Sequence, residues 1–338
     1  MERKRTMECP YIVGKNILIA GGASLVGAHL TKKLVQQNAG RILVFDPLRF
    51  DSKDSLGALK EHPHVTLLSG DLTQPAEINK AMEGIDLAVN LAAYMSLGMS
   101  ENPQSGLEVN ITGHINFLNA AVMHQVQKVV FASSSATYGF GIGGAIDETK
   151  PLNTHQVPPG AVAYGASKLI GEQLCKLYHA QHGLPFANLR FSTVYGEHQH
   201  RRAANALYII DTYERLRSGL KPQIFGDGRE SKDFVYAGDV ARAICMAFDE
   251  QKKNMTVNIS GGKSLSLVDI INTVMQVSGL HQDIDYVQDD GRVRLPAGEN
   301  LYYDNTLAKS LLGWEPNMPF AEGVKLLING YEDALRGE

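Results

Sequence analysis

The chain has 338 residues, 44% of them hydrophobic and 20% charged, which is enough apolar length for one large domain or two joined lobes and excludes a disordered chain. A net charge of −4, with no basic cluster beyond the short Arg-Lys-Arg near the start, excludes a nucleic-acid footprint. No stretch has the length and apolarity of a signal peptide or membrane span.

Three widely spaced cysteines (Cys9, Cys175 and Cys245) read as free thiols in a reducing compartment rather than a disulfide frame or a zinc site, so a cytoplasmic protein is expected. Residues 1–13 read as an N-terminal extension. KNILIA (15–20) then has the composition of a short buried strand, and GGASLVG (21–27) leads into the helical pattern AHLTKKLVQQ. In such a strand, turn and helix unit, small residues let backbone N–H groups approach a pyrophosphate, and the helix start adds partial positive charge. A second strand, RILVF, ends at Asp46, nineteen residues after Gly27, where a carboxylate can accept the ribose hydroxyls of NAD and repel the 2′-phosphate of NADP. Arg49, three residues on, leaves NADP as the lesser alternative.

VTLLSGDLTQ reads as a third strand running to Asp71 and Leu72, and LAVNLAA (87–93) as a central one. Asn110 opens a long amphipathic helix pattern, EVNITGHINFLNAA, and is read as structural. The strand VVFA then delivers Ser133, Ser134, Ser135, Ala136 and Thr137. In AYGASKLIGE (163–172), Tyr164 and Lys168 lie four residues apart and share one face of a helix. The lysine's positive charge near a phenol favours phenolate, which suits the tyrosine to general acid/base chemistry at neutral pH.

The glycine turn, the serine-rich strand end and YGASK together resemble the extended short-chain dehydrogenase/reductase family, in its nucleotide-sugar epimerase and dehydratase branch. The resemblance implies an α/β Rossmann-type doubly wound parallel sheet with a smaller C-terminal α/β substrate lobe. It places the NAD-binding domain at 14–190, with 234–260 returning to it, and the substrate lobe at 191–233 and 261–335. It further implies a cofactor loop of Gly21, Gly22, Ala23, Ser24, Leu25 and Val26, with Ser24 where the family's middle glycine usually stands. Serine is small and can cap the helix start. The adenine side falls to Asp46, Asp71 and Leu72, and the segment under the phosphates to Leu91, Ala92, Ala93 and Ser133. The catalytic set is Ser134, Tyr164 and Lys168, with Tyr164 and Lys168 also touching the cofactor.

Matching VVFASSSATYG to the family's strand end puts the catalytic hydroxyl at Ser134, thirty residues before Tyr164, and Ser135 beside the substrate. A hydroxyl can donate and accept at once, as a proton relay requires. The family's 4,6-dehydratases follow this hydroxyl with Asp-Glu, and its decarboxylases carry a Glu in this loop. Ser135 and Ala136 supply no carboxylate, so dehydration is not expected.

Beyond this helix, Thr193 stands where family members commonly carry asparagine, and Thr-Val-Tyr-Gly resembles the subgroup that epimerises UDP-uronic acids. Arg201, Lys232 (where the family has arginine) and Arg294 are the expected anion contacts. Lysine gives a point charge with weaker geometric control than the arginine fork. His198 and His200 alternate, but no third ligand follows at suitable spacing, so no metal is expected. Asp233 and Asp239 read as fixing a local turn and a helix start, and Trp314 as core packing. The expected function is reversible, NAD-dependent 4-epimerisation of a nucleotide sugar, most simply a UDP-sugar. A net dehydrogenase acting on a sugar or other small alcohol is the alternative. Homodimerisation through the helices of 107–123 and 164–179 is implied by the resemblance, with neither nucleic acid nor membrane as partner.

Overall fold

The computed structural model describes residues 9–48, 52–140, 142–155, 157–197, 207–252, 254–287 and 300–336. Apolar runs bounded by turns build the parallel strands β1 (Ile17–Ala20), β2 (Ile42–Asp46), β3 (Val65–Ser69), β4 (Leu87–Asn90) and β5 (Lys128–Ser134). After β6 (Ala145–Ile146) come β7 (Phe186–Phe191), β8 (Thr193–Tyr195), β9 (Gln223–Phe225), β10 (Ser231–Lys232), β11 (Phe234–Tyr236) and β12 (Met255–Ile259). The last strands are β13 (Leu265–Ser266), β14 (Asp285–Val287) and β15 (Tyr302–Tyr303).

Seven strands form one parallel sheet in the order β12-β7-β5-β4-β1-β2-β3. The strand order reverses between β1 and β4, so a crevice opens at their carboxyl ends, which is where doubly wound sheets bind ligands. Alternation decides the two faces. Ile17, Ile19, Val44, Val89 and Val130 face a core closed by Leu30, Leu34, Val240, Ile244 and Trp314. Leu18, Leu43, Phe45, Ala88 and Phe131 face the opposite core, closed by Ile78, Phe117, Leu118 and Cys175. Cys9 and Ile12 are fully buried in the first core, so the described end of the expected extension is part of the domain.

A separate apolar cluster holds the smaller lobe, in which the helices Leu207–Arg217, Leu267–Ser278 and Phe320–Arg336 pack around Ile209, Ile224, Ile270 and Leu327. Its strands pair two by two: β8 with β11, β9 with β14, and β10 with β13. Trp314 is fully buried, as expected, and its indole N–H donates to the Asp239 carbonyl at 3.0 Å. Asp239 does not start its helix. Tyr236 holds the cap position of Ala237–Ala247, and the Asp239 carboxylate instead accepts from the backbone N–H groups of Asn317 (2.9 Å) and Met318 (2.8 Å). The carboxylate is thus drawn to the unpaired N–H groups of the Trp314 turn.

The helix expected from Asn110 onward is interrupted. Glu108–Gly113 is a π turn, and Asn110 uses it to bond Tyr94 N (2.7 Å), Tyr94 O (2.9 Å) and Ser167 Oγ (3.0 Å). Asn110 therefore ties the chain after β4 to the helix of Tyr164, a structural role.

Candidate active site

The helix Pro159–His182 starts with proline in its first turn, where no N–H is needed, and stops at Gly183, whose φ of +69° glycine adopts without strain. Tyr164, Lys168 and Glu172 follow one another at four-residue spacing along this helix, and all three are buried. Gly165 lets the helix lie against the turn after β5: a Cβ there would stand 2.2 Å from the Ala136 carbonyl oxygen. Ser134 ends β5, its Oγ accepts from Ala136 N at 3.1 Å, and its side chain is hydrogen-bonded to the Tyr164 phenol. Residues thirty positions apart in sequence are thus joined through their hydroxyls, and Lys168 lies one turn along.

Burial pushes the Tyr164 phenol up, and the bond from Ser134 draws it back down. Burial also lowers the Lys168 ammonium to about 7, with the charge of Glu172 opposing the fall. Lys168 Nζ donates to the Ala132 carbonyl at 2.7 Å and stands 4.8 Å from the Phe131 ring centre and 6.0 Å from that of Tyr164. One part of the expectation is corrected here: the lysine charge is not fixed, because Lys168 is itself titratable, and desolvation dominates both groups.

The loop after β1 is built for close approach. Gly21 has φ +73° and a Cβ there would lie 2.6 Å from Ala92 N, while one on Gly27 would lie 2.1 Å from the Gly22 carbonyl oxygen. Ser24 caps the helix Leu25–Gln36, its Oγ accepting from Gly27 N at 3.3 Å, which leaves Leu25 and Val26 in the first turn. Asp46 is buried at the end of β2, and burial raises its carboxyl although it accepts from Leu48 N (2.9 Å) and Ala23 N (3.2 Å). It therefore sits directly against the glycine-rich loop. Leu91 N donates to Ala20 O at 2.8 Å, Ala92 N to Asn90 Oδ1 at 3.0 Å, and Ala93 packs on Ala136 and Tyr164.

Asp71 and Leu72 lie in the turn after β3. Asp71 bonds Thr73, and the buried Leu72 gives its carbonyl to Asn116 at 2.9 Å. The Ser133 hydroxyl donates to Glu172 Oε1 at 2.5 Å, so its side chain is engaged with the helix. These residues fit NAD. The loop leaves no space for a Cβ where a pyrophosphate must come close, and Lys168, with three N–H bonds, uses one on Ala132. Gly21 to Val26 and Leu91 to Ala93 would hold the phosphates, Asp46 the adenosine ribose, and Lys168 the nicotinamide ribose.

The substrate side is described in part. Ser135 bonds the Tyr303 phenol, which burial raises to about 12. Thr193 lies in β8 with its N–H on the Asp233 carbonyl at 3.0 Å, and Lys232 is half-buried in β10, one residue before Asp233. Arg201 and Arg294, with His198, His200 and Arg202, lie outside the described residues. Among the described residues no group of three or more His, Cys, Asp or Glu could hold a metal ion.

Asp233 does more than shape a turn. Its carboxylate accepts from Gly261 N (2.7 Å), Tyr303 N (3.0 Å), Gly262 N (3.1 Å) and Ser192 Oγ (3.2 Å), which joins four separate segments beside Thr193 and Lys232. Glu172, Arg190 and Tyr303 went unmarked in the sequence. Glu172 alone carried a signal, because the four-residue spacing of Tyr164 and Lys168 continues to it.

Residues 17–260 match the model of the NAD dependent epimerase/dehydratase family. The chain belongs to this family. A Methanocaldococcus jannaschii protein provisionally named UDP-glucose 4-epimerase is 33% identical over 316 residues, which is 93% of this chain and 97% of that one. A dTDP-glucose 4,6-dehydratase of Streptomyces antibioticus is 27% identical over 94% of this chain and 92% of its own. Among solved structures, the UDP-glucose 4-epimerase of Thermotoga maritima with UDP-glucose superposes with a TM-score of 0.82 at 26% identity, over 95% of this chain and 99% of that one. The fold is therefore the Rossmann-type α/β fold expected of a family member, and its cofactor is NAD.

Proposed function

We propose that the chain is an NAD-dependent 4-epimerase of a nucleotide sugar, and that it acts on a UDP-hexose or UDP-uronate. The observation that carries this reading is the Ser134–Tyr164 hydroxyl pair beside the glycine-rich loop, on a strand end whose next residues, Ser135, Ala136 and Thr137, carry no carboxylate. Removing water across C5 and C6 needs an acid and a base there, whereas inverting C4 does not. The UDP-glucose 4-epimerases among the relatives and solved structures support the nucleotide class.

Tyr164 takes the proton of the C4 hydroxyl, and Ser134 holds that hydroxyl and relays the proton. Bound NAD supplies a hydride acceptor that can return the hydride. Lys168 holds the nicotinamide ribose and biases the phenol toward phenolate. The smaller lobe, 191–233 and 261–335, grips the nucleotide through Lys232, Arg201 and Arg294, with Thr193 and Ser135 toward the sugar. A 4-keto sugar held mainly by its nucleotide can turn in the pocket and be reduced on its other face. The enzyme works as a cytoplasmic homodimer in this reading. Exposed Ile170, Leu177, Leu107 and Met123 supply apolar surface on the helices expected to pair, and three widely spaced, buried cysteines suit a reducing compartment.

UDP-glucose, UDP-N-acetylglucosamine and UDP-glucuronate are to be incubated with the purified protein without added cofactor. Inversion at C4 of one of them is the expected result. If all three return unchanged while added NAD is reduced by an alcohol, the chain is a dehydrogenase.

A further inference from the structure

Glu172 is fully buried, yet two other buried groups converge on its carboxylate. Oε1 accepts from Ser133 Oγ at 2.5 Å and from Arg190 Nε at 2.8 Å, and Oε2 accepts from Arg190 Nη2 at 2.7 Å. Arg190, from β7, is held in turn by the Glu148 carbonyl at 3.2 Å and lies 4.9 Å from the Tyr138 ring centre. The pair stands directly behind the candidate catalytic groups, because Ser133 precedes Ser134 and Lys168 is one helical turn from Glu172. A buried ion pair alone is weak evidence for stability, since desolvation offsets much of the attraction. A pair placed here does something more specific.

We propose that Glu172 is a positioning residue: it sets Ser134 through Ser133 and supplies the negative charge that Lys168 faces inside the protein. This rests on the epimerase reading of the same site. The groups around Lys168 leave that charge to Glu172. The helix Pro159–His182 offers Tyr164 and Glu172, β5 offers the Ala132 carbonyl and the Phe131 ring, and the helix His114–Met123 offers His114. Burial, with the Lys168 charge adding to it, lowers His114 to about 3, so it is neutral. Arg190 and the Cys175 thiol flank Glu172, and burial keeps the thiol protonated. Without Glu172, Lys168 would lose its proton at lower pH, and Tyr164 would lose the cation that favours its phenolate.

The test uses the NAD-bound protein, with Glu172→Gln, Glu172→Asp and the double variant Glu172→Gln/Arg190→Met, which leaves no unpaired arginine should the single variant fail to fold. The double variant is expected to fold and retain NAD, with the alkaline limb of its kcat against pH profile moved down by about one unit or more. Glu172→Asp should keep the wild-type limb. Independently of turnover, the tyrosinate difference spectrum of each protein minus its Tyr164→Phe counterpart should show the phenol ionising at higher pH in the double variant. An unshifted limb and phenol in a folded, NAD-bound double variant overturn the proposal. Failure of the wild type to invert any nucleotide sugar sinks the epimerase reading instead, and the tyrosinate spectrum still decides the role of Glu172.

Discussion

Lys168 Nζ donates to the carbonyl of Ala132 at 2.7 Å, on the strand end that also carries Ser134. The ammonium is therefore held at this strand end, where it is costly to bury. Its folded value of about 7 lies below the ordinary 10.5, so between these two the unfolded chain holds more protons and stability from this group rises with pH. The penalty is full below 7 and gone above 10.5. Measured without NAD, Lys168→Met should melt above the wild type at pH 6, by an amount equivalent to a few kcal/mol at most, and the gap should close by pH 10. A gap that stays constant over this range would mean that the lysine is not desolvated.

Tyr164 and Ser134 share a hydrogen bond, and only one of them can serve as the proton acceptor. Tyr164→Phe should leave the fold and the bound NAD intact while turnover falls about 10²–10⁴-fold or more, the usual worth of a positioned acid/base group. Ser134→Ala should fall by less, because water can replace a relay hydroxyl. NAD released on denaturation and the rate of C4 inversion are the two measurements. Equal activity in Tyr164→Phe and wild type would remove the phenol from the chemistry.

Much of this was legible in the sequence, and the reasons differ by element. β1, β2 and β4 announce themselves because strands covered on both faces are unbroken apolar runs. Tyr164 and Lys168 stand out because helical periodicity forces them onto one face. The π turn at Glu108–Gly113 leaves no such mark, since one extra residue in a turn does not alter the apolar pattern enough to be seen. The charge state of Lys168 is not legible in the sequence because burial sets it, and burial comes from Phe131 and the packed helices rather than from its neighbours in sequence. Asp239 satisfies a turn 78 residues away, which no local capping rule can show.

Asp233 shows the same long reach, and its removal tests how the lobes are held together. Burial raises its carboxyl to about 6, so the folded state binds its proton more tightly than the unfolded chain does, and stability from this group falls as pH rises from about 4 to 6. The ionised form is nonetheless the one that accepts two bonds on each oxygen. Asp233→Asn keeps one acceptor oxygen and places an amide against backbone N–H groups, which leaves donors unpaired at about 1–3 kcal/mol each. A lower Tm is expected, together with a KM for nucleotide sugar raised about tenfold, because this carboxylate bonds Tyr303 and Ser192, the neighbour of Thr193, and Lys232 directly precedes it in the chain. A change in Tm without a change in KM would confine Asp233 to stability.

Gly27 and Gly21 separate close packing from cofactor approach. A Cβ on Gly27 would stand 2.1 Å from the Gly22 carbonyl oxygen, and that contact is backbone against backbone, so the helix Leu25–Gln36 must move to admit it. The loop and the helix start would part, and with them the N–H groups that should meet the pyrophosphate. Gly21 has φ +73° in addition to its contact with Ala92 N at 2.6 Å, so alanine there is both strained and crowded. Both Gly21→Ala and Gly27→Ala are expected to be purified without NAD and to bind added NAD at least about tenfold more weakly than wild type. Gly183→Ala serves as the control. It is also at positive φ, but nothing lies within 4 Å of its Cβ, so it should lose about 1 kcal/mol of stability and keep its NAD. Full NAD retention in Gly27→Ala would show that the cofactor does not lie over this loop.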